Sequence, residues 1–403
     1  MPADTRPNAP ALEDLYAGRA QHLKGEQIWP NSQTDVISLS YGFAAPEKFP
    51  TDALLAATAE VLAEDTDGAL NYGNSYIGLS ELVAARLRGH GAHAIQADNV
   101  LLTYGSSQVL GLLSQVFVDP GDVVFVEGPT FMGAVRNFIA GGAELVTIPV
   151  DEDGISVDVL EQELREHARR GIRPKFLYTI PTFQNPSGTD LTLERRRRVV
   201  QLAAEYGVLV VEDDAYGDLR FEGRALPRLA ALDTDGWVLH VGTFSKVLAP
   251  GIRMGWAAGP RAVIERLQHF KIEGSSGPYQ TRVVERFSAD GKLDAHIQEL
   301  IACYRHKRDI MLDAIKSEFP DDVIAPKPNG GFFIWAKLPD DISATALAKK
   351  AVENGVAFVP GTGFYANGQG DDAIRLAFSY QSEERIADGI TRIGKAIRAL
   401  RGS

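Results

Sequence analysis

A chain of 403 residues, 45% hydrophobic and 23% charged, has ordinary globular composition and is long enough for two domains. Its net charge of −12, with arginines scattered among acids, argues against a nucleic-acid partner, and its single cysteine, Cys303, excludes an intrachain disulfide framework and fits a reducing compartment. No apolar stretch approaches the ~20 residues of a membrane span, and Met1-Pro2-Ala3-Asp4-Thr5 does not open a secretory signal, so a soluble, cytoplasmic protein is expected.

Residues 1–50 read as an arm, polar over its first part, punctuated by Pro7, Pro10 and Pro30, with one short helix near 11–23. No helix-turn-helix unit is expected within this arm. Residues 51–64 and 79–89 predict helices. A strand at 99–104 then leads to a helix at 106–117, a strand at 123–127 to a helix at 130–139, and a strand at 145–149 to a helix at 157–167. A strand at 176–180 leads to a helix at 193–206, whose Arg195-Arg196-Arg197-Arg198 run reads as a solvated face. Three more strands lie at 208–212, 237–242 and 254–258. Seven strands, apolar at nearly every position and separated by helices, predict a mostly parallel sheet sandwiched by helices, an α/β large domain over 51–285. Beyond it the texture changes. A long helical pattern runs over 283–319, holding Cys303 as a half-buried filler. Strands at 331–337 and 356–359 and helices at 344–354 and 382–398 complete a smaller α+β domain, 286–403, on which the arm is expected to pack.

The chemistry concentrates in Gly242-Thr243-Phe244-Ser245-Lys246-Val247-Leu248-Ala249-Pro250-Gly251-Ile252-Arg253. A lysine in this setting suits an aldehyde cofactor that also carries a phosphate. The amine of Lys246 can form a Schiff base, while the hydroxyls of Thr243 and Ser245 and the fork of Arg253 can grip phosphate oxygens. Tyr104-Gly105-Ser106-Ser107 turns from a strand into a helix. A serine cap is the plainer reading of that turn by itself; beside the lysine motif, Ser106 and Ser107 become phosphate donors at a helix N-terminus. Three acids, Glu212-Asp213-Asp214, end a buried strand, where open α/β sheets place their ligands. A carboxylate there can pair with a protonated pyridine nitrogen. Arg375 lies in the apolar stretch Ala373-Ile374-Arg375-Leu376-Ala377, where an arginine without a partner is costly, which favours a ligand.

In chain order, Asn185-Pro186-Ser187-Gly188, then Asp213-Asp214-Ala215-Tyr216, then Ser245-Lys246 with Arg253 following, resembles the pyridoxal phosphate (PLP) enzymes of the aspartate aminotransferase superfamily. The branch containing 2-aminoadipate and kynurenine aminotransferases is the most similar. The resemblance covers about residues 36–400 and includes Pro328-Asn329-Gly330-Gly331-Phe332-Phe333-Ile334-Trp335 and Phe358-Val359-Pro360-Gly361. It implies fold type I and a ping-pong exchange between an amino acid and a 2-oxo acid through pyridoxamine phosphate. It selects Asp213 among the three acids and gives Asn185 and Tyr216 the cofactor's ring oxygen. Phe131 would stack on the ring, and Arg375 would bind the substrate α-carboxylate. Tyr72 would reach the phosphate of a neighbouring subunit, which implies a homodimer with shared active sites.

The chain departs from the family at three places. Ser107 stands where relatives carry Gln. Tyr41, in Ser38-Leu39-Ser40-Tyr41-Gly42, replaces a glycine near the substrate pocket, and Trp29 stands where some relatives have arginine. Tyr41 and Trp29 point to bulky, aromatic or branched substrates rather than strictly acidic ones. Two other functions fit parts of the pattern: a PLP-dependent lyase acting by β-elimination, and a non-catalytic effector-binding module of a transcriptional regulator.

Overall fold

The computed structural model describes residues 15–18, 36–73 and 76–402. The expected helix near 11–23 and Trp29 lie wholly or largely outside these. β1 (Ile37–Ser38) comes first, followed by helices Thr51–Glu64 and Ile77–Gly89. The large sheet is built from β2 (Val100–Thr103), β3 (Val123–Gly128), β4 (Glu144–Asp151), β5 (Gly154–Ile155), β6 (Phe176–Thr179), β7 (Leu209–Asp213), β8 (Val238–Thr243) and β9 (Gly255–Ala258). Its strand order is β2-β9-β8-β7-β6-β3-β4-β5. All seven expected strands are present. The eighth, β5, is a two-residue return that pairs antiparallel with the end of β4, too short to carry a pattern of its own. Pairings among β4, β3, β6, β7 and β8 are parallel; β9 runs antiparallel between β8 and β2.

Alternate residues of these strands enter different cores, since strand side chains alternate faces. Val126, Tyr178, Val211, Leu239 and Ala257 pack with Leu110, Leu113 and Phe138 of helices Ser106–Phe117 and Met132–Gly141, and with Ile264 and Leu267 of Arg261–Phe270. Phe125, Leu177, Val210 and Val238 pack with Leu160, Leu164, Val199 and Leu202 of helices Val157–Arg169 and Leu193–Tyr206. Both faces are therefore dry, which is why the strands read as continuous apolar runs.

Two expectations need correction. The helical pattern over 283–319 is two helices, Pro278–Ser288 and Lys292–Glu318. Asp290 and Gly291 take φ +55° and +76° between them, left-handed values that interrupt a helix without changing its apolar spacing. The arginine run is also not a uniformly solvated face: Arg196 is fully buried. Its guanidinium donates to the carbonyls of Pro181 (2.6 Å), Leu191 (2.8 Å) and Pro227 (3.0 Å) and to Thr182 Oγ1 (2.8 Å), so it braces the loop after β6.

Beyond the large sheet, β10 (Phe333–Lys337), β12 (Val359–Pro360) and β13 (Ala373–Ala377) form a three-stranded antiparallel sheet in the order β10-β13-β12. β11 (Val356–Ala357) pairs in parallel with β1. Helices Lys292–Glu318 and Glu383–Arg401 pack against this part through Tyr304, Met311, Ile390 and Ile393.

Candidate active site

Strand order and register gather distant residues at one edge of the large sheet. Because β9 is antiparallel to both neighbours, β2 points the same way as β8, and Thr103 and Thr243 both lie opposite Gly255. The turn after β2 and the turn after β8 therefore meet, with Arg253 beside them.

At that meeting point Gly105 is the N-cap of helix Ser106–Phe117, with φ +75°. Ser106 and Ser107 occupy the first helical positions, where backbone N–H groups have no acceptor within the helix. The turn is instead tied by Gln108, whose Oε1 accepts from the Tyr104 N–H (2.9 Å). Arg253 donates to the carbonyls of Tyr104 (3.3 Å) and Pro250 (3.2 Å). A Cβ on Gly105 would lie 2.6 Å from Arg253 Nη2, and one on Gly255 would lie 2.6 Å from the Ser106 nitrogen. Two glycines thus leave a cradle lined by a guanidinium and a helix N-terminus, which suits a phosphate. Thr243 Oγ1 lies 2.9 Å from Ser245 Oγ and 3.2 Å from the Met254 carbonyl, buried beneath the cradle.

Lys246 Nζ donates to the Gly42 carbonyl (2.8 Å) and lies 5.5 Å and 5.8 Å from the ring centres of Phe332 and Tyr216. Loss of hydration in the cleft, with Arg375 and Arg253 nearby, brings its amine down to about 8. Asp213 is buried. Its Oδ2 accepts from Tyr178 Oη (2.7 Å), and its Oδ1 has no partner among the described residues. Burial raises this carboxyl to about 6 against the opposing Tyr178 bond. The neighbouring acids are committed elsewhere. Glu212 accepts from the N–H groups of Leu229 (2.6 Å) and Ala230 (3.0 Å) and pairs with His240 (3.3 Å). Asp214 pairs with Arg228. Asp214 Oδ1 is also buried without a partner among the described residues, so what sets Asp213 apart is that its side-chain bond is to a neutral phenol and not to a cation.

Asn185 Oδ1 accepts from Arg375 Nη1 (2.8 Å), and Ser40 O accepts from Nη2 (2.5 Å). The rings of Phe333 and Phe364 lie 4.2 Å and 4.6 Å from the guanidinium carbon, and Nε has no partner among the described residues. Among the described residues no carboxylate pairs with Arg375. Burial lowers it to about 10. Tyr216 is buried edge-on to Phe332 and Phe333. Phe131 is the half-buried N-cap of helix Met132–Gly141. Tyr41 stacks on Phe43 at 5.0 Å, and Phe43 meets Tyr380 edge-on at 5.7 Å. Tyr72 is fully exposed.

Sequence reasoning missed Tyr178, the two backbone carbonyls, and Glu127. This buried carboxyl accepts from Thr179 Oγ1 (2.5 Å), the Ile180 N–H (3.1 Å) and Gln184 Nε2 (3.0 Å), and burial raises it to about 7. Gln184 in turn accepts from Ser187, which fixes the loop that presents Asn185.

An unpartnered buried carboxylate oxygen, a nearby amine of lowered basicity and a glycine-lined anion cradle fit the pyridine nitrogen, aldehyde and phosphate of PLP. The sequence profile of the family described as Aminotransferase class I and II matches residues 34–393. The chain is 39% identical to an aromatic-amino-acid aminotransferase of Thermococcus litoralis over 97% of this chain and 96% of the relative. It is 36% identical to a 2-aminoadipate transaminase of Thermus thermophilus, over 95% and 96%. The crystal structure of a Pyrococcus horikoshii kynurenine aminotransferase superposes with a TM-score of 0.91 at 35% identity, covering 96% of this chain and 98% of that one. These likenesses favour transamination over the lyase alternative. The chain belongs to the class I and II aminotransferases, fold type I enzymes that use pyridoxal phosphate to move an amino group from an amino acid to a 2-oxo acid.

Proposed function

We propose a division of labour among the site residues. When bound, PLP supplies an aldehyde for amine exchange and an electron sink for the bonds at the substrate's Cα. Lys246 would hold the cofactor through its aldehyde and would act as the proton carrier at the substrate Cα; its lowered basicity suits both tasks near neutral pH. Asp213 would pair with the ring nitrogen, and Asn185 and Tyr216 with the ring oxygen. Phe131 would stack on the ring. Arg253, Ser106, Ser107, Thr243 and Ser245 form the phosphate site.

Arg375 carries this reading. A buried guanidinium flanked by aromatic rings, bonded to Asn185 and unmatched by a carboxylate among the described residues, awaits an anion. A two-pronged grip on the α-carboxylate fixes which Cα bond faces the cofactor. The aromatic group Tyr41–Phe43–Tyr380 borders the same cleft through Gly42, and supports bulky, aromatic or branched amino donors. The exposure of Tyr72, beside exposed Leu70 and Ile77, supports a homodimer in which each copy lends Tyr72 to the other's phosphate site. The arm at 1–50, large domain at 51–285 and small domain at 286–403 remain our division of the chain. The lone Cys303 supports a cytoplasmic location. Among the described residues no helix is long and apolar enough to cross a membrane.

The test is single-turnover chemistry. Loaded enzyme given one aromatic amino acid without acceptor releases its 2-oxo acid in amounts matching the enzyme. In R375K, kcat/KM falls roughly a hundredfold, because lysine cannot supply the fork. Equal kcat/KM for 2-aminoadipate and aromatic donors would remove the preference; an unimpaired R375K would remove the carboxylate assignment.

A further inference from the structure

Tyr178 has no part in the roles above, yet its side chain touches the site's key carboxylate. It sits on β6 opposite Val211 of β7, two residues before Asp213. Residues two apart on a strand share a face, so Tyr178 and Asp213 are diagonal neighbours on one surface of the sheet. The phenol is fully buried, its ring edge-on to Phe138 at 5.6 Å. Its O–H donates to Asp213 Oδ2 at 2.7 Å, and Oδ1 is left without a partner.

We propose that Tyr178 is a positioning residue that holds Asp213 ionised and aims its free oxygen at the protonated ring nitrogen of the cofactor. The need for such a residue arises from where Asp213 stands. A carboxyl this deep is driven towards its neutral form, and a neutral carboxyl no longer favours a protonated ring nitrogen. Asp214 and Glu127 add to that drive by like charge, while His240 and Lys246 oppose it. The charge of Asp213 also reaches Tyr216. The Tyr178 bond is the foremost influence that favours the charge. A phenol serves here better than a second cation, which would compete with the cofactor for the carboxylate. A hydroxyl donates one hydrogen bond to the carboxylate and leaves its charge to act on the ring.

This inference rests on the assignment of Asp213 to the ring nitrogen, and the experiment separates the two. Y178F keeps the ring and its packing on Phe138, so the fold should hold, as its thermal midpoint will show. PLP affinity is titrated by absorbance across pH 5–9 for the wild type, Y178F, D213N and the double variant. Expected for Y178F is roughly tenfold weaker binding at neutral pH and an acid limit of binding displaced to higher pH. In the D213N background the same change should add nothing, because the two act as one unit. An unchanged affinity and pH limit in Y178F, or an additive loss in the double variant, overturns the inference while leaving the Asp213 assignment in place. Normal binding by D213N overturns both.

Discussion

Lys246 occupies a place where its own charge is unwelcome. The cleft removes water from the amine, and two guanidinium groups stand near, with the charge of Asp213 and the Gly42 carbonyl favouring the ammonium. Below about 8 the amine is protonated and cannot attack an aldehyde; above it the free base dominates. Loading of the cofactor-free enzyme with PLP should therefore accelerate as pH rises from 6.5 to 8.5 and then level off. A stopped-flow absorbance series checks this, and a rate independent of pH over that range contradicts it. The lysine itself is legible in the sequence, as are Asp213, Asn185 and Arg375, because each lies in a short pattern of side chains with distinct chemistry. Tyr178 is not. It looks like one more aromatic in an apolar strand, and only the β6–β7 register brings its hydroxyl to Asp213. The carbonyls of Ser40 and Gly42 are illegible for a different reason: every residue has one, and nothing in a side-chain pattern marks which will face a cation.

At the level of elements, the proposed phosphate cradle depends on how closely β9 approaches the helix Ser106–Phe117. Gly255 permits that approach, since any Cβ there would meet the Ser106 nitrogen at 2.6 Å and the Gly105 carbonyl carbon at 2.7 Å. Both are backbone atoms and cannot swing aside. G255A should push the helix N-terminus away from Arg253 and weaken PLP binding roughly tenfold or more, while stability falls by about 1–3 kcal/mol from overpacking. Equilibrium titration and denaturant unfolding measure the two effects separately, and unaltered PLP affinity would show the cradle lies elsewhere. Element types are well predicted from periodicity, because both sheet faces are buried and the strands carry no polar face to mislead. The failures come where local conformation or tertiary contact overrides pattern. A left-handed pair at Asp290–Gly291 splits one apolar stripe into two helices. Arg196 leaves a basic run to satisfy three buried carbonyls, which no charge count foretells.

For the whole molecule, the proposed sharing of Tyr72 makes a sharp demand on assembly. A Y72A subunit lacks what it lends, and a K246A subunit lacks what it uses. Each variant alone should be inactive or nearly so. Mixed and allowed to exchange, they should recover activity, because a hybrid dimer contains one site with both residues intact. Activity that stays absent after exchange, verified by tagged subunits, would mean each chain completes its own site. The fully exposed side chain of Tyr72 in a single chain is the observation this pairing accounts for.

The strand order β2-β9-β8-β7-β6-β3 has one more consequence. The groups proposed to hold PLP sit at the ends of β2, β3, β6, β7 and β8, and before β9, so nearly the full width of the large sheet contributes. A fragment carrying half the sheet would present half a grip. Binding therefore requires the finished domain, and the cofactor works as a rivet driven across strands that are far apart in the chain. Its free energy of binding is added to the resistance of those strands to separation, so a cell short of the cofactor would lose the enzyme to unfolding as well as to inactivity.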